Sequence, residues 1–145
     1  MHTTRQTTRQ QTPRGKKSSL RRGGYLTMEL VLTLPILAIV LLALFEFSLL
    51  FFARGVVVES CRAGARQGTM PGATTQSVEA EIKRVLTPSL IPGLQVNYLP
   101  GQYSGDVVQV AVRIPMTDAS PDLLWPVGFS LRNRDLFAEV SMIKE

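Results

Sequence analysis

Hydrophobic and polar positions divide this chain into stretches of different period, and each stretch predicts an element. Residues 1–24 are polar and basic, no charge occurs from Leu30 to Phe45, and Glu46 is the only charge before Arg54. The run Leu30 to Ala53 would make a helix of about 36 Å at about 1.5 Å per residue, enough for a hydrocarbon core of about 30 Å with some tilt. A transmembrane helix is therefore expected over 25–53. Pro35 removes a backbone donor inside it and is expected to kink the helix or loosen its first turns. Beyond the membrane, Val58, Cys61, Ala65 and Gly68 recur on one narrow helical stripe, which extends the helix over 54–70. Glu59 and Arg62 support the opposite face, and Ala63, Gly64 and Gly68 leave room for a close neighbour. Met70-Pro71-Gly72 stops the helix.

Residues 71–145 read as a small domain outside the membrane. Thr74 or Thr75 can cap a second helix running to about Leu86. Its apolar stripe is Val78, Ile82, Val85 and Leu86, with Glu79, Glu81, Lys83 and Arg84 facing away. The period then becomes two. Leu94, Val96 and Tyr98 alternate with polar residues, and after a turn-rich loop so do Val108, Val110, Val112 and Ile114, which predicts a β-hairpin with one buried face. Pro115 to Gly128 reads as a loop whose Trp125 is either a core plug or an interfacial anchor. A last strand or pair of strands is expected over Phe129–Leu131 and Leu136–Ile143. The fold class is α+β: a long N-terminal transmembrane helix continuing out of the membrane, a second short helix and a small antiparallel sheet.

Charge changes the picture by fixing direction. The net +5 is an average: residues 1–24 hold seven bases and no acid, leaving nine bases and eleven acids, or −2, for the rest. A basic stretch can serve nucleic acid, a membrane surface or topology. Here it abuts the apolar run, with Arg21 and Arg22 closest, and the positive-inside rule is the simplest account. Residues 1–24 are expected to be a disordered cytoplasmic leader, with the carboxyl end carried across the membrane. No nucleic-acid partner is expected.

Candidate chemistry is sparse. The single His, His2, lies in the basic tail, and Cys61 is the one cysteine. No His-based triad or metal site can be assembled from these, and no glycine-rich phosphate loop follows a strand. The expectation is a protein without catalytic residues, metal or cofactor. Cys61 reads as a small packing residue, or as one half of a disulfide between subunits. Glu29 and Glu46, 17 positions apart, would sit near opposite membrane faces, about 25 Å apart along a helix. As an ordinary helix-end acid Glu29 is favoured by the helix dipole. Glu46 either reaches for the interface or serves as an assembly contact for a cation on a neighbouring subunit.

Several of these residues together carry a family resemblance. Gly24 followed by Glu29, between a basic leader and an apolar helix, resembles the processing site of type IV pilins and pseudopilins. The wider stretch is similar to the TadE family of tight-adherence (Flp) pilus assembly proteins. It comprises Arg21-Arg22-Gly23-Gly24, Met28-Glu29-Leu30, Leu34-Pro35, Phe45-Glu46-Phe47, Phe52-Ala53-Arg54 and Arg62-Ala63-Gly64-Ala65-Arg66. The match is good over 21–68 and one of pattern over 94–145. Leu30 stands where this subfamily more often has an aromatic residue, and the arginine-flanked tail has Ala where the family has an acid. The resemblance implies that a prepilin peptidase cuts after Gly24 on the cytoplasmic side, making Tyr25 the new amino terminus. Glu29 would then neutralise the new amine of an adjacent subunit. Its partners would be the peptidase, other pilins or pseudopilins and the inner-membrane assembly platform. The implied location is the bacterial inner membrane, single-pass, with the small domain in the periplasm or incorporated into a pilus. The alternatives are a type II secretion pseudopilin, and an unprocessed signal-anchored protein that displays a small binding domain.

Overall fold

The longest apolar run in the sequence lies inside one helix. A computed structural model of the chain describes residues 20–144, with side chains from Tyr25 onward. Helix α1 spans Leu20–Thr69 and contains Pro35. The leader expected over 1–24 falls mostly outside the described residues, but Leu20 to Gly24 belong to α1. Extending an existing helix by one residue is far easier than nucleating a new one. The helix therefore runs back past the apolar residues that predict it.

By its internal contacts the chain forms two units, residues 1–36 and 37–145. In the first, every described side chain from Tyr25 to Ile36 is exposed, and the Thr33 hydroxyl donates to the Glu29 carbonyl at 3.0 Å. From Tyr25 onward α1 is long and apolar enough to cross a membrane.

The second unit holds the core. Helix α2, Thr75–Val85, starts at a reciprocal cap: Ser77 N–H donates to the Thr74 hydroxyl, and Thr74 N–H donates to the Ser77 hydroxyl. Two otherwise orphaned donors are thereby satisfied. Strands β1 (Gln95–Leu99), β2 (Val107–Pro115) and β3 (Asp135–Ile143) form an antiparallel sheet in the order β1-β2-β3. Val112 stands opposite Val96 on one side and Ala138 on the other. Val108, Val110, Val112 and Ile114 are all fully buried, so the alternation expected for the hairpin gives one covered face.

That face belongs to the same core as the second half of α1. Ala53, Val57, Cys61 and Ala65 join Val78, Ile82, Val110, Val112 and Leu136 in one buried cluster. Ala53, the expected end of the membrane span, is thus a core residue, and Val57 rather than Val58 carries the stripe. The small residues on α1 are spacers for its own domain. A Cβ on Gly64 would come within 2.6 Å of the Ile82 side chain, and one on Gly68 within 2.8 Å of the Tyr98 ring. The Tyr98 hydroxyl donates to the Gly68 carbonyl at 3.1 Å.

Between β2 and β3 the chain forms the short helix α3, Met116–Ala119, and then a loop. Phe129–Leu131, expected as a strand, belongs to this loop. The reason is local: Leu131 N–H and the Ser130 hydroxyl both bond to the Asp122 carboxylate, at 3.0 and 3.1 Å. Backbone committed to a side chain in this way is diverted from a strand ladder.

Cys61 sits at the centre of the core with no exposed surface, its thiol directed at the Val110 carbonyl at 3.2 Å. It is a packing residue, and in the folded domain it is closed to a second subunit. Burial pushes the thiol from an ordinary 9.0 up to about 11. Between those values the native state holds a proton that the unfolded chain releases, so stability is fully present below about pH 9 and falls as pH rises toward 11. Replacing Cys61 by Ala should flatten that alkaline limb, which is worth about 2 kcal/mol at its upper end. An iodoacetamide reaction at neutral pH should label Cys61 only after the domain is unfolded; rapid labelling of the folded chain would contradict the burial.

Candidate functional site: an apolar helix and a clasped glutamate

The residues singled out in the sequence separate between the two units. Gly24, Tyr25, Glu29 and Pro35 lie in the first. Gly24 and Tyr25 are consecutive residues of α1, so the bond between them is helical. Tyr25, Met28, Glu29 and Leu32 line one shallow hollow at i, i+3, i+4 and i+7. Glu29 is exposed and forms no ion pair among the described residues. The side chains of Arg21 and Arg22 lie outside the described set. Pro35 lies within α1, which continues beyond it.

Glu46 lies in the second unit and is fully buried. One carboxylate oxygen accepts the Leu123 N–H at 3.2 Å and the other the Leu124 N–H at 3.1 Å. A buried acid needs such donors, because water has been removed from it. Glu46 therefore has its partners within its own chain, neither reaching for the interface nor held open for another subunit's cation. Next to it, the Phe47 ring meets Phe129 at a centroid distance of 5.6 Å, tilted by 56°. The loop is thus fastened to one turn of α1 at both of its ends.

Leu123, Leu124, Asp122 and Phe129 are the contributors that sequence reasoning missed. One signal was present. Glu46, Ala53, Val57, Cys61 and Ala65 follow one another at spacings of seven, four, four and four, so Glu46 lies on the buried stripe. An acid in that register calls for donors from the domain, although the register does not identify them.

Among the described residues no group of three or more His, Cys, Asp or Glu stands together. The geometry defines a class: a small α+β domain folded onto a helix whose apolar length makes it a possible membrane anchor. Residues 24–66 match the family model of TadE-like proteins, so this segment is TadE-like, and the family suggests a minor pilin-like protein associated with the Tad pilus. No curated protein and no solved structure matches the chain.

Proposed function

We propose that this protein is a minor pseudopilin of a tight-adherence (Flp-like, type IVb) pilus or secretion apparatus, cut by prepilin peptidase after Gly24. It would then act by helix–helix assembly in the bacterial inner membrane, with its domain on the periplasmic side, and not by catalysis. The observation that carries this reading is the TadE-like match over 24–66, which begins at Gly24 and contains Glu29 and the apolar run.

Cutting at Gly24 removes the +7 leader, which otherwise tethers each subunit to the cytoplasmic face. The scissile bond is helical, so the first turns must unwind to fit a protease. Gly23 and Gly24 ease this, each being about 1 kcal/mol less favourable in a helix than Ala. Glu29 is then the fifth residue, four positions from the new amine at Tyr25, in the region where the helix dipole favours an acid. Pairing with an adjacent subunit's amine sets register more than it adds stability, since an unpaired desolvated charge is penalised.

The deciding experiment is mass spectrometry of the membrane-bound protein made beside its prepilin peptidase. A terminus at Tyr25 is the expected result. An intact leader, with the peptidase active on another substrate, would leave an unprocessed signal-anchored protein. Glu29→Ala should lower the number of assembled subunits several-fold while Glu29→Asp largely preserves it; normal assembly of the Ala variant would sink the register argument.

A further inference from the structure

The loop that clasps Glu46 carries an apolar tip that its own domain leaves uncovered. Trp125–Val127 form a single 3-10 turn, closed by Gly128 in the left-handed region at φ 93°. Trp125 is 65% exposed and Val127 60%, and Pro126 between them is also exposed. This is not a frayed segment. Leu124, immediately before it, is buried and its N–H is held by Glu46. Phe129, immediately after it, packs on Phe47 and donates its N–H to the Leu124 carbonyl at 3.3 Å. A tip built this rigidly and left this apolar needs a surface to meet.

Its place along α1 identifies that surface. From Leu37 to Phe45, on the amino-terminal side of the clasp, no residue of α1 is charged and most are bare: Leu37 is 59% exposed and Leu44 64%. On the carboxyl-terminal side Phe51 and Phe52 are still exposed, at 73% and 69%, and the helix enters the core at Ala53. The clasp thus stands within the last turns of the uncovered apolar flank, just short of the core. Counting back from it, 25–45 supplies 21 residues, about the 20 that a helical span requires. The chemistry of the loop agrees. Residues 123–131 carry no charge, while Arg132 and Arg134 follow directly and are exposed. The Arg134 guanidinium lies over the Phe129 ring at 5.2 Å. Arg132 also pairs with Asp122 at 4.0 Å. A tryptophan with arginines close to it in sequence is the composition of a membrane–water boundary.

We propose that the Trp125-Pro126-Val127 turn is a membrane-contacting foot, which dips into the headgroup region of the leaflet from which α1 emerges and seats the domain on the bilayer. The proposal rests on the reading of α1 as a membrane anchor. Because the foot is tied to Glu46, the domain is held to the lipid surface at a second point beside the helix.

Trp125 is the only tryptophan in the chain, so the full-length protein reports on itself. It is placed in vesicles of phosphatidylethanolamine and phosphatidylglycerol, with or without lipids brominated near the headgroup end of the acyl chain. The expected result is blue-shifted emission, poor quenching by acrylamide, and a clear loss of intensity with the brominated lipid. Emission like that of tryptophan in water, open to acrylamide, overturns the proposal. So does emission that is shielded from acrylamide yet untouched by brominated lipid, which would assign Trp125 to a protein contact. Carbonate extraction of the same vesicles separates the two claims: a chain that stays with the lipid while Trp125 remains in water leaves the anchor standing without the foot, and a chain that is extracted removes both.

Discussion

Replacing Glu46 by Ala should lower the stability of the domain by about 3 kcal/mol and release the loop over 121–131. The substitution leaves the Leu123 and Leu124 N–H groups facing a void, and each buried donor left unsatisfied costs about 1–3 kcal/mol. Removal of a buried acid offsets part of this. Glu46→Gln keeps the volume and one acceptor oxygen but turns an NH2 group toward the second N–H, so it should lose roughly half as much. Thermal unfolding in mild detergent measures the loss, and hydrogen exchange at Leu123 and Leu124 locates it. An Ala variant that melts with the parent and keeps both amides protected would show that the carboxylate contributes little to holding the loop.

The second large effect is expected at Gly64. Its position leaves no room for a side chain, since a first carbon would already lie 2.6 and 2.8 Å from two atoms of Ile82 and 3.4 Å from Val78. Gly64→Val adds two further methyl groups to that contact and should cost about 3 kcal/mol, the upper part of the usual overpacking range. The better helix propensity of Val returns only a few tenths of a kcal/mol. Shortening the opposing residue with Ile82→Ala should recover part of the loss, so the double variant should be more stable than the sum of the single changes. Strict additivity would place the strain somewhere other than the α1–α2 contact.

The elements were legible in the sequence wherever a local rule governs. The apolar run and its helical continuation, a threonine cap at 74 or 75 (Thr74 in the structure), the Val78–Ile82 stripe and the alternation from Val108 to Ile114 all appear as expected from the local pattern. What was not legible depends on distance. Nothing near residue 46 indicates that its donors lie 77 and 78 positions away, and nothing near Phe129 shows that Asp122 will claim the backbone at Leu131. The small residues of α1 show the same limit. Gly64 and Gly68 announce a close approach, but only the fold shows that Ile82 and Tyr98 of the same chain make it. In the first unit Gly24, Tyr25 and Glu29 lie along one helix, and the role proposed for them rests on the family resemblance.

The strand order carries a consequence for biosynthesis. β3, the last element in the chain, pairs with the central strand β2 and closes the core over residues of α1 made some 80 positions earlier. A nascent chain that has delivered α1, α2 and β1 has Val78 and Ile82 for the stripe from Ala53 to Ala65 but lacks the share of the core that β2 and β3 supply, and its Glu46 is unmatched. Neither is completed until the Leu123 region and β3 have been synthesised. Folding of this domain is end-loaded, with its earliest residues waiting on its latest. Chains stalled before residue 123 would present an unmatched acid and an incompletely covered helix together.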